Sequence, residues 1–194
     1  MEKERLAAFS DGVIAIILTI MVLELKTPQG SDWGALLASL PQFLSYVLSF
    51  LYIAIYWNNH HHLLHTVRHV NGGILWANMH LLFWLSIVPL TTEWLRRYPT
   101  ASTPLCVYGG ILLMAAIAYY ILQNAIICTQ GEGSILKQAL GRDRKGKISI
   151  LLYGVGIALS FVTPVLCYVI YSFVALIWLV PDRRIEKKFN NPKF

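Results

Sequence analysis

The sequence predicts an all-α, polytopic membrane protein with six transmembrane helices, and three observations carry that prediction. Hydrophobic residues make up 56% of the 194-residue chain and charged residues only 13%, whereas soluble domains contain about 25% charged residues. Apolar runs of about 20 residues, the length that crosses a bilayer, recur along the chain. Lys and Arg are concentrated between alternate runs. They form no basic stripe interleaved with aromatic residues, so a nucleic-acid-binding protein is not indicated.

The apolar runs are separated by turn-forming or polar residues. The first connection contains Pro28, the second contains Asn71-Gly72-Gly73, and the third is RRYPTASTP at 96–104. The longest polar connection covers 130–147, and Pro164 is expected to divide the last two spans. The predicted spans lie near 6–26, 36–64, 72–95, 104–128, 147–163 and 165–181.

The distribution of Lys and Arg predicts the orientation of the chain. With the N-terminus inside, thirteen of these residues lie on the cytoplasmic side and three on the outside. The positive-inside rule therefore favours both termini in the cytoplasm. The domain organisation follows: a single six-span membrane domain over 1–181 and a basic cytoplasmic tail over 182–194.

The first span, RLAAFSDGVIAIILTIMVLEL at 5–25, has two faces when its residues are placed 100° apart. Asp11 lies nearly opposite the apolar stripe that contains Ile16. An acid in a membrane segment costs about 2.5–3.5 kcal/mol at its centre, so Asp11 is expected near the interface or beside a polar partner. The stripe consists of Phe9, Gly12, Ile16, Thr19, Ile20 and Leu23. The candidate partners of Asp11 on other helices are Asn58, His60, His61, His62, Asn78 and His80.

The start of this span also resembles a known family. Arg5-x-x-x-Phe9-Ser10-Asp11 resembles the RxxxFSD signature that opens the first helix of the transmembrane protein 175 family of potassium channels. The following GVIAIILTIMVLEL resembles the pore helix of that family. A looser similarity covers Trp57, the nearby histidines and Asn78. Six spans with both ends inside also match the prokaryotic members, which have essentially this length.

The resemblance implies a homotetramer in a bacterial or archaeal cell membrane, in which four first helices surround one potassium pathway. It implies that Ile16, Ile20 and Leu23 form a hydrophobic constriction and that Thr19 provides a hydroxyl layer associated with selectivity. No cofactor is implied, and the expected partners are other copies of the chain, the lipid bilayer and permeant potassium. The signature and packing network would comprise Arg5, Phe9, Ser10, Asp11, Trp57 and Asn78.

The physics of the stripe is compatible with a gate. A narrow ring of Ile and Leu side chains offers no oxygen atoms to replace the hydration shell of an ion, so it should empty of water and block. The Thr19 hydroxyl can bond to the carbonyl of Ala15 or turn toward the ion. Ordinary helix packing is the alternative interpretation of the stripe. Glu24 is either a carboxylate that attracts cations to the outer mouth or an exposed interfacial acid.

Two other functional classes remain as alternatives. A secondary or proton-coupled transporter would use Asp11 and the histidines of the second span, although such carriers usually contain inverted repeats, and none is evident here. A metal or haem site would use His61, His65 and His69, spaced i, i+4, i+8. Tyr153-Gly154-Val155-Gly156 shares letters with a potassium filter but lies within a span. No catalytic motif is present, so the sequence indicates no enzyme.

Overall fold

The computed structural model describes residues 2–131 and 143–179, together with Ser134, Leu136 and Lys137. The described chain is built from α-helices, which confirms the predicted all-α class. The helices are α1 (Lys3–Leu23), α2 (Trp33–Ala38), α3 (Leu40–His65), α4 (Gly72–Arg97), α5 (Ser102–Gln130), α6 (Arg144–Leu159) and α7 (Pro164–Leu179).

Six of these helices coincide with the six predicted spans. Four of them, α1, α3, α4 and α5, are long and apolar enough to cross a membrane. Helices α6 and α7 have 16 residues each, about 24 Å at 1.5 Å per residue, against a hydrocarbon core of about 30 Å. Whether these two cross the membrane, and the orientation of the bundle, stay predictions. The tail at 182–194 and most of the connection at 130–147 lie outside the described residues.

Local signals account for most helix ends. The side chain of Asn71 accepts a hydrogen bond from the backbone N–H of Ile74 at 2.9 Å, and Asp143 accepts one from Gly146 at 3.1 Å. Each bond satisfies a free donor in the first turn of a helix. Gly131, with φ of 64°, follows the end of α5, in the left-handed region that suits glycine. Pro164 is the first residue of α7, which agrees with its predicted role as a divider.

The beginning of the second predicted span was wrong. Residues 36–38 belong to the separate short helix α2, whose start is capped by Asp32 through a 3.1 Å bond from the Ala35 N–H. Helix α3 begins only at Leu40. Pro41 explains the break, because it has no N–H to donate to the carbonyl of residue 37 and so cannot extend the preceding helix.

Helix α1 packs with one face against α3 and α4. The buried residues of this face recur at intervals of three or four, as expected for one side of an α-helix. They are Leu6, Ser10, Ile14, Ile17 and Met21. Helices α4 and α5 form the most extensive contact in the described bundle, and α6 and α7 pack against α5 on the other side.

Tyr171 of α7 is fully buried between glycines of two neighbouring helices. A Cβ atom on Gly156 of α6 would lie 2.6 Å from its ring, and one on Gly109 of α5 would overlap its hydroxyl. The hydroxyl donates to the carbonyl of Leu105 at 3.3 Å. Gly156 therefore belongs to a close helix contact, and the Tyr153-Gly154-Val155-Gly156 sequence lies inside α6.

Candidate pore helix and its supporting contacts

The apolar stripe of α1 is exposed along its whole length. Ile16 is 59% exposed, Ile20 43% and Leu23 81%, and Phe9, Gly12 and Thr19 of the same stripe are also exposed. The opposite face is buried against α3 and α4. A single subunit thus leaves uncovered the face that the residue spacing predicted as a separate surface.

Thr19 is the one hydroxyl-bearing residue on this stripe. Its Oγ1 donates to the carbonyl of Ile16 at 2.8 Å, one residue later than the predicted acceptor, Ala15. Both acceptors lie within reach of a helical threonine, because its hydroxyl can bond three or four residues back. Since the bond uses the hydroxyl hydrogen, the oxygen lone pairs remain free to meet a cation.

A directional chain of hydrogen bonds connects the N-terminal half of α1 to α3 and α4. His60 Nε2 of α3 donates to Asn78 Oδ1 of α4 at 2.7 Å, and Asn78 Nδ2 donates to Ser10 Oγ of α1 at 3.0 Å. Ser10 Oγ then donates to the carbonyl of Leu6 at 2.8 Å. The three side chains are buried, so each polar group is satisfied by the next. The histidine that reaches the signature segment is therefore His60.

Asp11 has a different partner from those expected. Its Oδ1 accepts a hydrogen bond from Trp57 Nε1 of α3 at 2.9 Å. None of the six side chains proposed from the sequence donates to it; among them, Asn78 and His60 belong to the hydrogen-bond chain that leads to Ser10. The signal for this pairing was the indole N–H of Trp57, a donor that offers no acceptor of its own.

The two basic residues near the start of α1 behave differently from each other. Lys3 Nζ donates to the carbonyl of His65 at 2.9 Å, which ties the start of α1 to the end of α3. No pattern in the sequence predicted this contact of Lys3. Arg5 is exposed and makes no hydrogen bond or ion pair with any described residue. The packing role implied for Arg5 stays a prediction.

The proposed line of three histidines on one helical face was wrong. Helix α3 ends at His65, so His69 lies beyond the helix and does not continue the i, i+4 spacing. The rings of His61 and His65 have centroids 4.6 Å apart on the exposed side of α3. Among the described residues, no three His, Cys, Asp or Glu side chains are grouped as ligands for one metal ion.

An ion-pair network lies near the C-terminal ends of α1 and α4, on the far side of the bundle from Ser10. Glu93 binds both Nε and Nη2 of the buried Arg96 at 2.6 Å, and its Oε1 also accepts from Arg97 Nε at 2.7 Å. Arg96 Nη1 donates to Gln42 Oε1 of α3 at 2.9 Å. Glu24, just beyond the end of α1, is half-buried. Burial raises the pKa of its carboxyl, Glu93 adds to this rise and Arg96 opposes it.

The family described as "Endosomal/lysosomal potassium channel TMEM175" matches residues 5–89. A Chryseobacterium sp. (strain P1-3) protein named as a potassium channel is 58% identical over 187 residues, which cover 96% of this chain and 97% of that one. The mouse endosomal/lysosomal proton channel TMEM175 is 30% identical over 148 residues, covering 68% of this chain and 30% of its own length.

A solved structure has the same fold. It is the crystal structure of a lysosomal potassium-selective channel TMEM175 homolog from Chamaesiphon minutus. The two structures superpose with a TM-score of 0.78 at 32% sequence identity, and the match covers 91% of this chain and 96% of the other.

Proposed function

Since this chain belongs to the TMEM175 family of channels, we propose that it is a homotetrameric, potassium-selective cation channel with a pore lined by α1 of each subunit. It is a multi-pass membrane protein and a channel, not an enzyme. The bacterial relatives that are named as potassium channels support potassium as the permeant ion. They also support a prokaryotic cell membrane as its location. The channel needs no cofactor.

The observation that carries this proposal is the uncovered stripe of α1. Its exposed residues include Gly12 and Thr19 among the bulky Ile16, Ile20 and Leu23. A face turned to lipid needs neither a bare backbone position nor a hydroxyl. A face that surrounds an axis with three copies of itself gains close approach from Gly12 and an oxygen ring from Thr19.

Ile16, Ile20 and Leu23 form the gate in this proposal. Ile16 and Leu23 are seven residues apart along α1, about 10 Å at 1.5 Å per residue. Rings of these side chains would exclude water and block hydrated ions until the four helices tilt or rotate. Thr19 lies between the Ile16 and Ile20 layers and supplies the selectivity contact.

The hydrogen bonds from His60 through Asn78 to Ser10, together with the Trp57–Asp11 bond, act as positioning contacts. They join the N-terminal half of α1 to α3 and α4 through the buried His60 and Asn78 and the exposed Trp57. The stripe residues carry no comparable side-chain bond to another helix among the described residues. Opening would therefore move the half of α1 that contains Ile20 and Leu23, or all three helices together.

Potassium efflux from liposomes tests the proposal. We expect Ile16→Asn to increase efflux severalfold, because an amide in the ring keeps water in the constriction, and we expect Leu23→Ala to change it as well. Val22→Ala is the matched control, because Val22 is 47% exposed on α1 but lies off the stripe, so efflux should stay at the wild-type rate. Equal efflux in all four proteins would overturn the pore assignment.

Proton conduction is a second candidate. The vertebrate relatives are named proton channels, and water that crosses the opened stripe would also carry protons. A pH-sensitive dye inside the same liposomes measures this route. A proton-coupled carrier would instead show flux that requires a counter-ion and is abolished by Asp11→Asn, while Ile16→Asn leaves it unchanged.

A further inference from the structure

A polar cavity of about 510 Å³ lies beside the ion-pair network where α1 and α4 end. It is an open cavity lined by the connection after α1, by α2, by the first turn of α3 and by the last residues of α4. The polar and charged side chains that line it include Lys26, Gln29, Ser39, Gln42, Arg96 and Arg97. The cavity is distinct from the exposed stripe of α1.

The charge of this lining is unbalanced. Three cationic side chains line the cavity, and no carboxylate is among the described lining residues. Glu93, which lies behind the cavity, is shared between the guanidinium groups of Arg96 and Arg97. Two further acids lie near: Glu24 interacts with Arg96, and Asp32 is bonded to the start of α2.

Free donors point to an anionic ligand. Arg97 uses only Nε on Glu93, so its two terminal nitrogens make no hydrogen bond to a described residue. Lys26 is exposed and makes no hydrogen bond or ion pair with the described chain. Arginine presents a planar fork and lysine a compact charge, and the two together match the oxygens of a phosphate group.

We infer that this cavity binds a phosphate group through Lys26 and Arg97, with the buried Arg96 contributing its charge from the cavity wall. The phosphate belongs either to the headgroup of an anionic phospholipid or to free inorganic phosphate. The volume is large enough for a headgroup. The ligand would join α1, α2 and α4 at the point where α1 leaves the bundle.

The surroundings of the cavity favour the lipid. Helix α2 buries none of its residues, and Trp33, Leu36 and Leu37 on it are 80%, 50% and 66% exposed. The exposed Tyr98 stands at the end of α4. Aromatic residues beside basic ones are typical of the boundary between hydrocarbon and water, which is the depth of lipid phosphates.

Thermal unfolding of the purified full chain in detergent micelles tests this inference. The wild type is titrated separately with POPG, with POPC, and with sodium phosphate against sodium chloride of equal ionic strength. We expect POPG to raise the unfolding midpoint well below the concentration at which POPC does. The Lys26→Gln/Arg97→Gln variant should need about tenfold more POPG, since it loses two charge-assisted contacts.

Two further variants separate this effect from general electrostatics and from misfolding. Arg68→Gln removes an exposed charge at the opposite end of the bundle and should titrate like the wild type. Lys26→Gln alone alters no contact of the described chain and should show part of the loss. A shift by inorganic phosphate that is weakened in Lys26→Gln and in the double variant, but not in Arg68→Gln, would identify free phosphate as the ligand.

The inference is overturned if no phosphate compound shifts the midpoint, or if the Lys26→Gln/Arg97→Gln variant responds like the wild type. It is equally overturned if Arg68→Gln loses as much as the double variant. It does not depend on the proposed pore. Efflux that ignores the α1 stripe would remove the pore assignment and leave the binding result standing.

Discussion

Asn78 is the residue on which the contacts of α1 most depend. Its amide carries both links of the buried chain, accepting from His60 and donating to Ser10. Asn78→Ala would leave the buried His60 Nε2 without its acceptor and would remove the donor to Ser10 Oγ, whose own bond to the Leu6 carbonyl remains. An unsatisfied buried group costs about 1–3 kcal/mol. We expect a lower thermal unfolding midpoint in detergent. Asn124→Ala is the control, because Asn124 bonds only to the carbonyl of Tyr120 on its own helix, and its midpoint should stay close to the wild type.

The residues of this site differ in how far the sequence could predict them. The helical period placed Ile16, Thr19 and Leu23 on one face of α1, but it did not decide whether other helices cover that face. In a single subunit these side chains are exposed. The pairing of Asp11 with Trp57 did not follow. Such a pairing depends on the rotation of α3 about its axis, and a one-residue change of register turns a helical side chain by 100°.

At the scale of the helices, glycines set how closely α5, α6 and α7 approach. Gly156→Ala forces a methyl group against the Tyr171 ring, 2.6 Å from its nearest atom, and such overpacking costs about 1–3 kcal/mol. Gly154 of the same helix has no atom within 4 Å of an added Cβ. We expect Gly156→Ala to lower the unfolding midpoint in detergent and Gly154→Ala to leave it unchanged or raise it. Equal effects of the two substitutions on the unfolding midpoint would show that helix propensity, and not the contact between Gly156 and Tyr171, determines the change.

Helices were more predictable than their exact beginnings. Six apolar runs predicted six helices, because run length is a property of consecutive residues. The short α2 was missed, because its six residues merged with the apolar run of α3. The break is visible only when the absent donor of Pro41 and the capping side chain of Asp32 are weighed together. Whether α6 and α7 cross the membrane depends on the neighbouring helices and on the lipid, so the length of an apolar run alone does not decide it.

For the whole molecule, the buried core of the described bundle reaches one face of α1 and leaves the stripe on another face uncovered. The core extends from the buried face of α1 through α4 and α5 to Tyr171. No described residue of the subunit covers the stripe of α1, and this stripe is the basis of the proposed tetramer. A helix that lines a pore needs contacts that fix the face turned away from the axis, and its other face must stay uncovered. In the proposed tetramer, Ser10 and Asp11 make the fixing contacts, and Ile16, Ile20 and Leu23 form the uncovered face.

Oxidative cross-linking in membranes tests this arrangement of the subunits. In a background where Cys106, Cys128 and Cys167 are replaced by alanine, we expect Leu23→Cys to form disulfide-linked dimers. Leu23 is 81% exposed, and four copies around one axis would bring these side chains within the roughly 4 Å between Cβ atoms that a disulfide requires. Val22 is also exposed, at 47%, but in the proposed tetramer it points away from the axis, so Val22→Cys should remain monomeric.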